Sequence, residues 1–183
     1  MTPSPWLEQS RALVQAAAAL GPVVDLACGR GRNALAVAGW GTRVIGIDRN
    51  PDVLNELAGA AHRARLPVQC VRADLEAEFG FPLKPRSCGA ILVFRFLCRR
   101  LAPRIVEALA PGGLLLTETF TLDHRQFGYG PTREAFLLAA GELPTLFPEL
   151  VIDATWEGVS NAGPRPEAVA RLRAFRHSSL DGL

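Results

Sequence analysis

The chain has 183 residues, 49% of them apolar and 21% charged, with a formal net charge of +2; this is one domain's worth of sequence with enough apolar content for an ordinary buried core. A charge so near balance argues against nucleic acid as an obligatory partner, which calls for Lys and Arg clustered on one face. The cysteines Cys28, Cys70, Cys88 and Cys98 have no C-x-x-C spacing and no paired histidines, which speaks against a metal site or a disulfide framework and points to a reducing, cytoplasmic setting.

Pro3 and Pro5 keep the start extended, and Ser4 or Pro5 can open a helix from about Trp6 to Leu20, stopped by Gly21-Pro22. Ala12 to Leu20 is apolar but has only Arg11 before it and a strand directly after it, unlike a signal peptide. Other apolar runs fall short of the ~20 residues that span a bilayer. Trp6 reads either as a staple for this helix or as part of a lid over a ligand. Val23-Val24-Asp25-Leu26 is an apolar strand, Ala27 to Gly31 a glycine turn, and Asn33 to Ala38 a short helix ended by Gly39-Trp40-Gly41. A second strand, Arg43 to Asp48, ends in a carboxylate. Asn50 can cap a helix that starts at Pro51 and runs to about Arg65. Val68 to Arg72 is a third strand, followed by Asp74 and Leu75 in a turn.

Gly89-Ala90-Ile91-Leu92-Val93-Phe94 lacks alternation, as expected of a strand buried on both faces of a parallel sheet. Arg95 stands where that strand ends. Arg99 to Ala110 reads as a helix, with Arg99, Arg100 and Arg104 on a solvated face. Pro111-Gly112-Gly113 turns into a fifth buried strand, Leu114 to Phe120. After a loop, Glu142 to Leu146 suggest a short helix, and Leu150 to Glu157 and Glu167 to Arg176 two strands, although Ala168-Val169-Ala170-Arg171-Leu172 also fits a helical period. No internal repeat is present.

Strand, glycine turn and helix start together make a ligand cradle: Gly29 and Gly31 admit positive φ and close approach, and the helix start presents free N–H groups. Asp48 follows Gly31 by 17 residues, near the spacing at which an acid meets a ribose in doubly wound nucleotide folds. Gly29-x-Gly31-x-x-Ala34 also satisfies a dinucleotide pattern. Asp25 weighs against that, because a carboxylate beside a diphosphate is repulsive at low dielectric. S-adenosyl-L-methionine has no phosphate and carries a cationic amino group and a sulfonium, so acids at two neighbouring strand tips suit it. Ala27 stands where a first glycine is usual, tolerable if its φ is negative.

Asp25-Leu26-Ala27-Cys28-Gly29-Arg30-Gly31 with Asp48 resembles the class I S-adenosylmethionine-dependent methyltransferases. The resemblance implies an α/β fold, a single Rossmann-like doubly wound sheet of seven strands in the order 3-2-1-4-5-7-6, its last strand antiparallel, with helices on both faces. It divides the chain into a cap helix (1–20), a cofactor-binding core (21–120) and a substrate-side loop with a terminal strand pair (121–183). It places the cofactor against Asp25, Ala27, Cys28, Gly29, Gly31, Asn33, Asp48, Arg49, Asp74, Leu75 and Phe94, with Asp48 at the ribose and Asp74 and Leu75 at the adenine. The product is S-adenosyl-L-homocysteine. Phe96-Leu97-Cys98-Arg99, Thr117-Glu118-Thr119-Phe120, Gly130-Pro131 and Gly141-Glu142-Leu143 extend the likeness to the small tellurite-resistance-type branch, where Asn-Tyr-Leu is expected in place of Arg95-Phe96-Leu97.

Methyl transfer is an in-line displacement that needs alignment and dryness above all; a general base is needed only for a protonated acceptor. Glu118, His124, Tyr129 and Arg95 are the candidates near the strand ends, with His124 otherwise an exposed loop residue and Arg95 placed for substrate or for the methionine carboxylate. The acceptor is expected to be a small molecule. An NAD-dependent reductase and a cofactor-binding regulatory protein without turnover are the alternatives.

Overall fold

In the computed structural model, which describes residues 2–178, the chain runs α1 (Pro5–Gln9), α2 (Arg11–Ala17), β1 (Val23–Leu26), α3 (Arg32–Gly39), β2 (Val44–Asp48), α4 (Pro51–Ala64), β3 (Val68–Arg72) and β4 (Cys88–Phe94). It continues through α5 (Ala102–Ala108), β5 (Leu109–Phe120), α6 (Glu142–Thr145), β6 (Leu150–Ser160) and β7 (Glu167–Arg176), with short 3-10 turns between. The strands form one sheet in the order β3-β2-β1-β4-β5-β7-β6. β1 to β5 are parallel, and β7 pairs antiparallel with both β5 and β6. The expected order is the observed one. Residues 179–183 of the expected substrate-side segment lie outside the described residues.

β4 is buried at every position because helices cover both of its faces. Ala90, Leu92 and Phe94 pack with Leu7, Val14, Val37 and Leu57 from α1 to α4, while Ile91 and Val93 pack with Ile105 of α5 and with Leu143 and Phe147 at α6. The side chains alternate across the pleat, so one unbroken apolar run feeds two cores. α4 begins as expected, with Asn50 Oδ1 accepting from the Asp52 N–H and Pro51 at the first helical position. Arg65 closes it in the left-handed conformation.

Two expectations differ, and one reading left open is decided. The first helix is broken at Ser10, whose φ and ψ are −98° and 6°; its hydroxyl accepts from Arg173 Nη1 of β7, and this part-buried side-chain bond competes with continued helix. Trp6 is the staple, buried in the core of α1, α2 and the sheet, and the cavity-lining residues at the start are instead Thr2, Pro3, Ser4 and Pro5. Finally, α5 ends at Ala108, and Ala110-Pro111-Gly112-Gly113 lies inside β5, as an irregularity between the Cys88–Leu109 and Ala90–Leu114 pairings.

Candidate functional site

The carboxyl ends of β1, β2 and β4 meet at the glycine turn. Gly31 takes φ +75° as the residue before α3, and a Cβ there would lie 2.2 Å from Leu57 Cδ1, so both backbone and packing exclude a side chain. Its N–H donates to the Cys28 carbonyl. Ala27 is also left-handed, at φ +51°, which corrects the expectation of a negative φ. The turn needs this conformation whichever residue fills it, and alanine pays a Cβ clash that glycine avoids. Ala27→Gly is therefore expected to stabilise the protein by about 1 kcal/mol, read as a higher urea midpoint with unchanged slope.

Both acids at the strand tips are turned toward this loop. Asp48 Oδ2 accepts from the Gly29 N–H at 2.8 Å and Oδ1 from the Asn50 N–H at 2.9 Å, so the acid expected at the ribose also holds the turn in shape. Asp25 is 2% exposed, and its Oδ2 accepts from the Ala34 N–H in the first turn of α3 at 3.1 Å. Burial pushes its pKa up to about 7, against the opposing pull of that N–H and of Arg32. Burial likewise pushes the half-buried Cys28 thiol up, away from the thiolate. Asn33 is buried and accepts from the Ser4 N–H, tying α3 to the start of the chain.

Two cavities open over these strand ends. The first, about 310 Å³, is lined by Asp48, Arg49, Asp74, Leu75 and the rings of Phe96 and Phe136, among others. The second, about 570 Å³, is lined by Asp25, Cys28, Asn33, Phe94, Glu118 and Arg171, with the 2–5 segment and the 160–167 turn as walls. Ala27, Arg95 and Phe120 line both. The expected adenine and ribose residues thus share one cavity, where Asp74 Oδ1 accepts from the Glu76 N–H and Arg49 is paired with Glu76 at 2.9 Å.

The base candidates separate. Glu118 lines the second cavity but is 1% exposed and held by Arg171 Nε on Oε2 at 2.6 Å and by the Ser4 hydroxyl on Oε1 at 3.1 Å. Its Oε1 also lies 3.4 Å from Arg95 Nη2. His124 lines neither cavity and is fully buried, correcting the exposed reading; Phe120, Phe127 and Tyr129 surround its ring, and its Nδ1 accepts from the Ala168 N–H at 3.2 Å. Burial lowers its pKa. Tyr129 donates its hydroxyl proton to the Pro166 carbonyl, fastening the loop after β5 to the turn before β7.

Two residues escaped sequence reasoning. Arg99 is a clamp rather than a solvated cation: it grips the Glu142 carboxylate with Nε and Nη2 and donates to the carbonyls of Ala135 and Leu137, which holds the Phe136 segment beside the first cavity. Arg171, hidden in an apolar strand pattern, lies opposite Glu118 in the β5–β7 pairing. Its charge in a buried strand was the available signal.

Comparison with known proteins agrees with this geometry. Residues 23–113 match a family model described as a methyltransferase domain. The ribosomal protein L11 methyltransferase of Thermus thermophilus is 34% identical over 94 residues, covering 51% of this chain and 36% of that protein, so the chain spans about a third of that relative's length. TehB from Haemophilus influenzae shares the fold with a TM-score of 0.70 at 21% identity, over 90% of this chain and 61% of that one. A methyltransferase from Methanosarcina mazei superposes with a TM-score of 0.71 at 16% identity, over 98% of this chain and 100% of that one. With its glycine turn, strand-tip acids, sheet order and matched core, the chain belongs to the class I S-adenosylmethionine-dependent methyltransferases.

Proposed function

We propose that the protein transfers a methyl group from S-adenosyl-L-methionine to a small-molecule acceptor. The observation that carries this reading is the pair of cavities joined at Ala27, Arg95 and Phe120, directly above the tips of β1, β2 and β4. The cofactor family fits the residues present: Asp48 and Asp74 stand in the first cavity for ribose and adenine, and Asp25 stands in the second for a cationic amino group. S-adenosyl-L-methionine supplies an electrophilic methyl on a sulfonium; the chain supplies alignment and exclusion of water. Phe94, Phe120 and Arg95 bound the junction where the methyl is presented. The four free cysteines support a reducing, cytoplasmic setting, and among the described residues no helix is long and apolar enough to cross a membrane.

Titration calorimetry tests the reading. S-adenosyl-L-homocysteine is expected to bind and NAD not to bind, since Asp25 and Asp48 face the turn where a diphosphate sits in dinucleotide folds. Asp48→Ala is expected to weaken binding by about tenfold to a hundredfold, the worth of one to two charge-assisted hydrogen bonds. NAD binding in place of the homocysteine product, or unchanged affinity in the variant, would refute it.

A further inference from the structure

Arg95 lines both cavities, and its placement is unusual. It follows β4 with φ +59°, a strained conformation for a residue with a Cβ. Its N–H is held by the Glu118 carbonyl at 2.8 Å, so the strain is enforced by pairing to β5. The guanidinium lies over the Phe120 ring, 4.5 Å from its centroid, with Nη2 on Glu167 at 2.5 Å and near Glu118. One face and one edge are therefore fixed. Nη1 is buried and has no partner. An orphaned guanidinium nitrogen costs roughly the desolvation of a charged donor, and the residue that carries it lines both cavities.

A second observation bears on the same point. The groups nearest Arg95 are engaged with one another: Glu118 with Arg171 and Ser4, Glu167 Oε2 with Arg95, and, outside both cavities, His124 Nδ1 with the Ala168 N–H and the Tyr129 hydroxyl with the Pro166 carbonyl. Asp25, in the same cavity as Glu118, accepts from the Ala34 N–H of α3. At the end of β5, both carboxylate oxygens of Glu118 are engaged.

We propose that the acceptor is a small anion at its attacking atom, a carboxylate, phenolate or thiolate, held by Arg95 Nη1. This rests on the methyltransferase reading and deepens it. The anion's lone pair forms the bond to the methyl carbon as the carbon–sulfur bond breaks, and that bond's electron pair stays on sulfur. The sulfonium becomes a neutral thioether and the anion a neutral methylated product. No proton moves, so no base is needed. The guanidinium stabilises the ionised form of a weak acid before reaction, and the neutral product keeps only an ordinary hydrogen bond, weaker than the charge-assisted one it replaces.

The test uses the complex with S-adenosyl-L-homocysteine and four probes, acetate, benzoate, 4-nitrophenolate and thioglycolate, compared with acetamide, benzamide, 4-nitroanisole and methyl thioglycolate methylated on sulfur. Calorimetry is expected to show at least one anion binding tenfold or more tightly than its neutral counterpart. Arg95→Gln is expected to erase that preference, and Arg95→Lys to retain part of it. Wild-type protein that binds the homocysteine product but shows no anion preference would overturn the proposal while leaving the methyltransferase reading intact. An anion preference that survives in a folded Arg95→Gln would overturn it too. Failure to bind the homocysteine product at all would instead defeat the parent reading. The wild-type comparison needs no variant, so poor folding of either substitution leaves the test decisive.

Discussion

Glu118→Ala is expected to destabilise the protein by about 3–5 kcal/mol, the usual cost of stripping one partner from a buried ion pair. Glu118 is 1% exposed, and its two oxygens serve Arg171, Ser4 and the edge of Arg95. Without it Arg171, whose side chain is 13% exposed, keeps only the Ser160 hydroxyl and the face of Trp156. An uncompensated guanidinium in the β5–β7 seam is what raises the cost. Against a total stability of 5–15 kcal/mol typical of a domain, the variant stands close to unfolding at 37 °C. Urea denaturation measures the loss. Glu118→Leu combined with Arg171→Met is expected to recover most of it, because the cost lies in the unpaired charge rather than in the absence of the pair. If Glu118→Ala unfolds at the wild-type midpoint, the network is ornamental.

The second large effect concerns Asp25. Burial raises its pKa from 3.8 to about 7, so between those values the folded chain keeps a proton that the unfolded chain has released. Stability then falls as pH rises through this window, at up to about 1.4 kcal/mol per pH unit, and levels off above it. Asp25→Asn carries no charge to desolvate and can still accept from Ala34. It is expected to flatten that decline and to exceed wild type at pH 8 by about 2–4 kcal/mol. The same substitution is expected to weaken the cofactor, whose amino group favours the ionised acid. In wild-type protein near pH 6.5, binding should therefore release protons, visible as a calorimetric heat that changes with the ionisation heat of the buffer. Identical pH–stability curves for the two proteins would remove Asp25 as the source.

The strands of the parallel half, α4 with its Asn50 cap, and the strand-tip acids Asp25 and Asp48 were legible because each depends on local chemistry: an apolar run, an Asn-Pro start, a turn rich in glycine. What was not legible depends on partners far along the chain. The break at Ser10 requires Arg173, 163 residues away. The burial of His124 requires Ala168 to donate to its ring and three aromatic neighbours to enclose it. Arg99 looks solvated until Glu142 and the 135–137 carbonyls fold back onto it. The sign of φ at Ala27 is set by the turn rather than by the residue, which is why an alanine there misleads. The helical period around Ala168 was ambiguous because β7 begins with three buried residues in a row, Ala168 to Ala170, and alternates only from there to Phe175.

The walls of the second cavity are drawn from both extremities of the described chain. Ser4 comes from the beginning, and Ser160, Glu167 and Arg171 from the closing hairpin; these positions, like Glu118, fall outside the 23–113 stretch that identifies the family. The same cavity also takes Asp25, Cys28, Asn33, Phe94 and Arg95 from inside that stretch, so a match over it describes part of the lining and leaves the rest to the flanking segments.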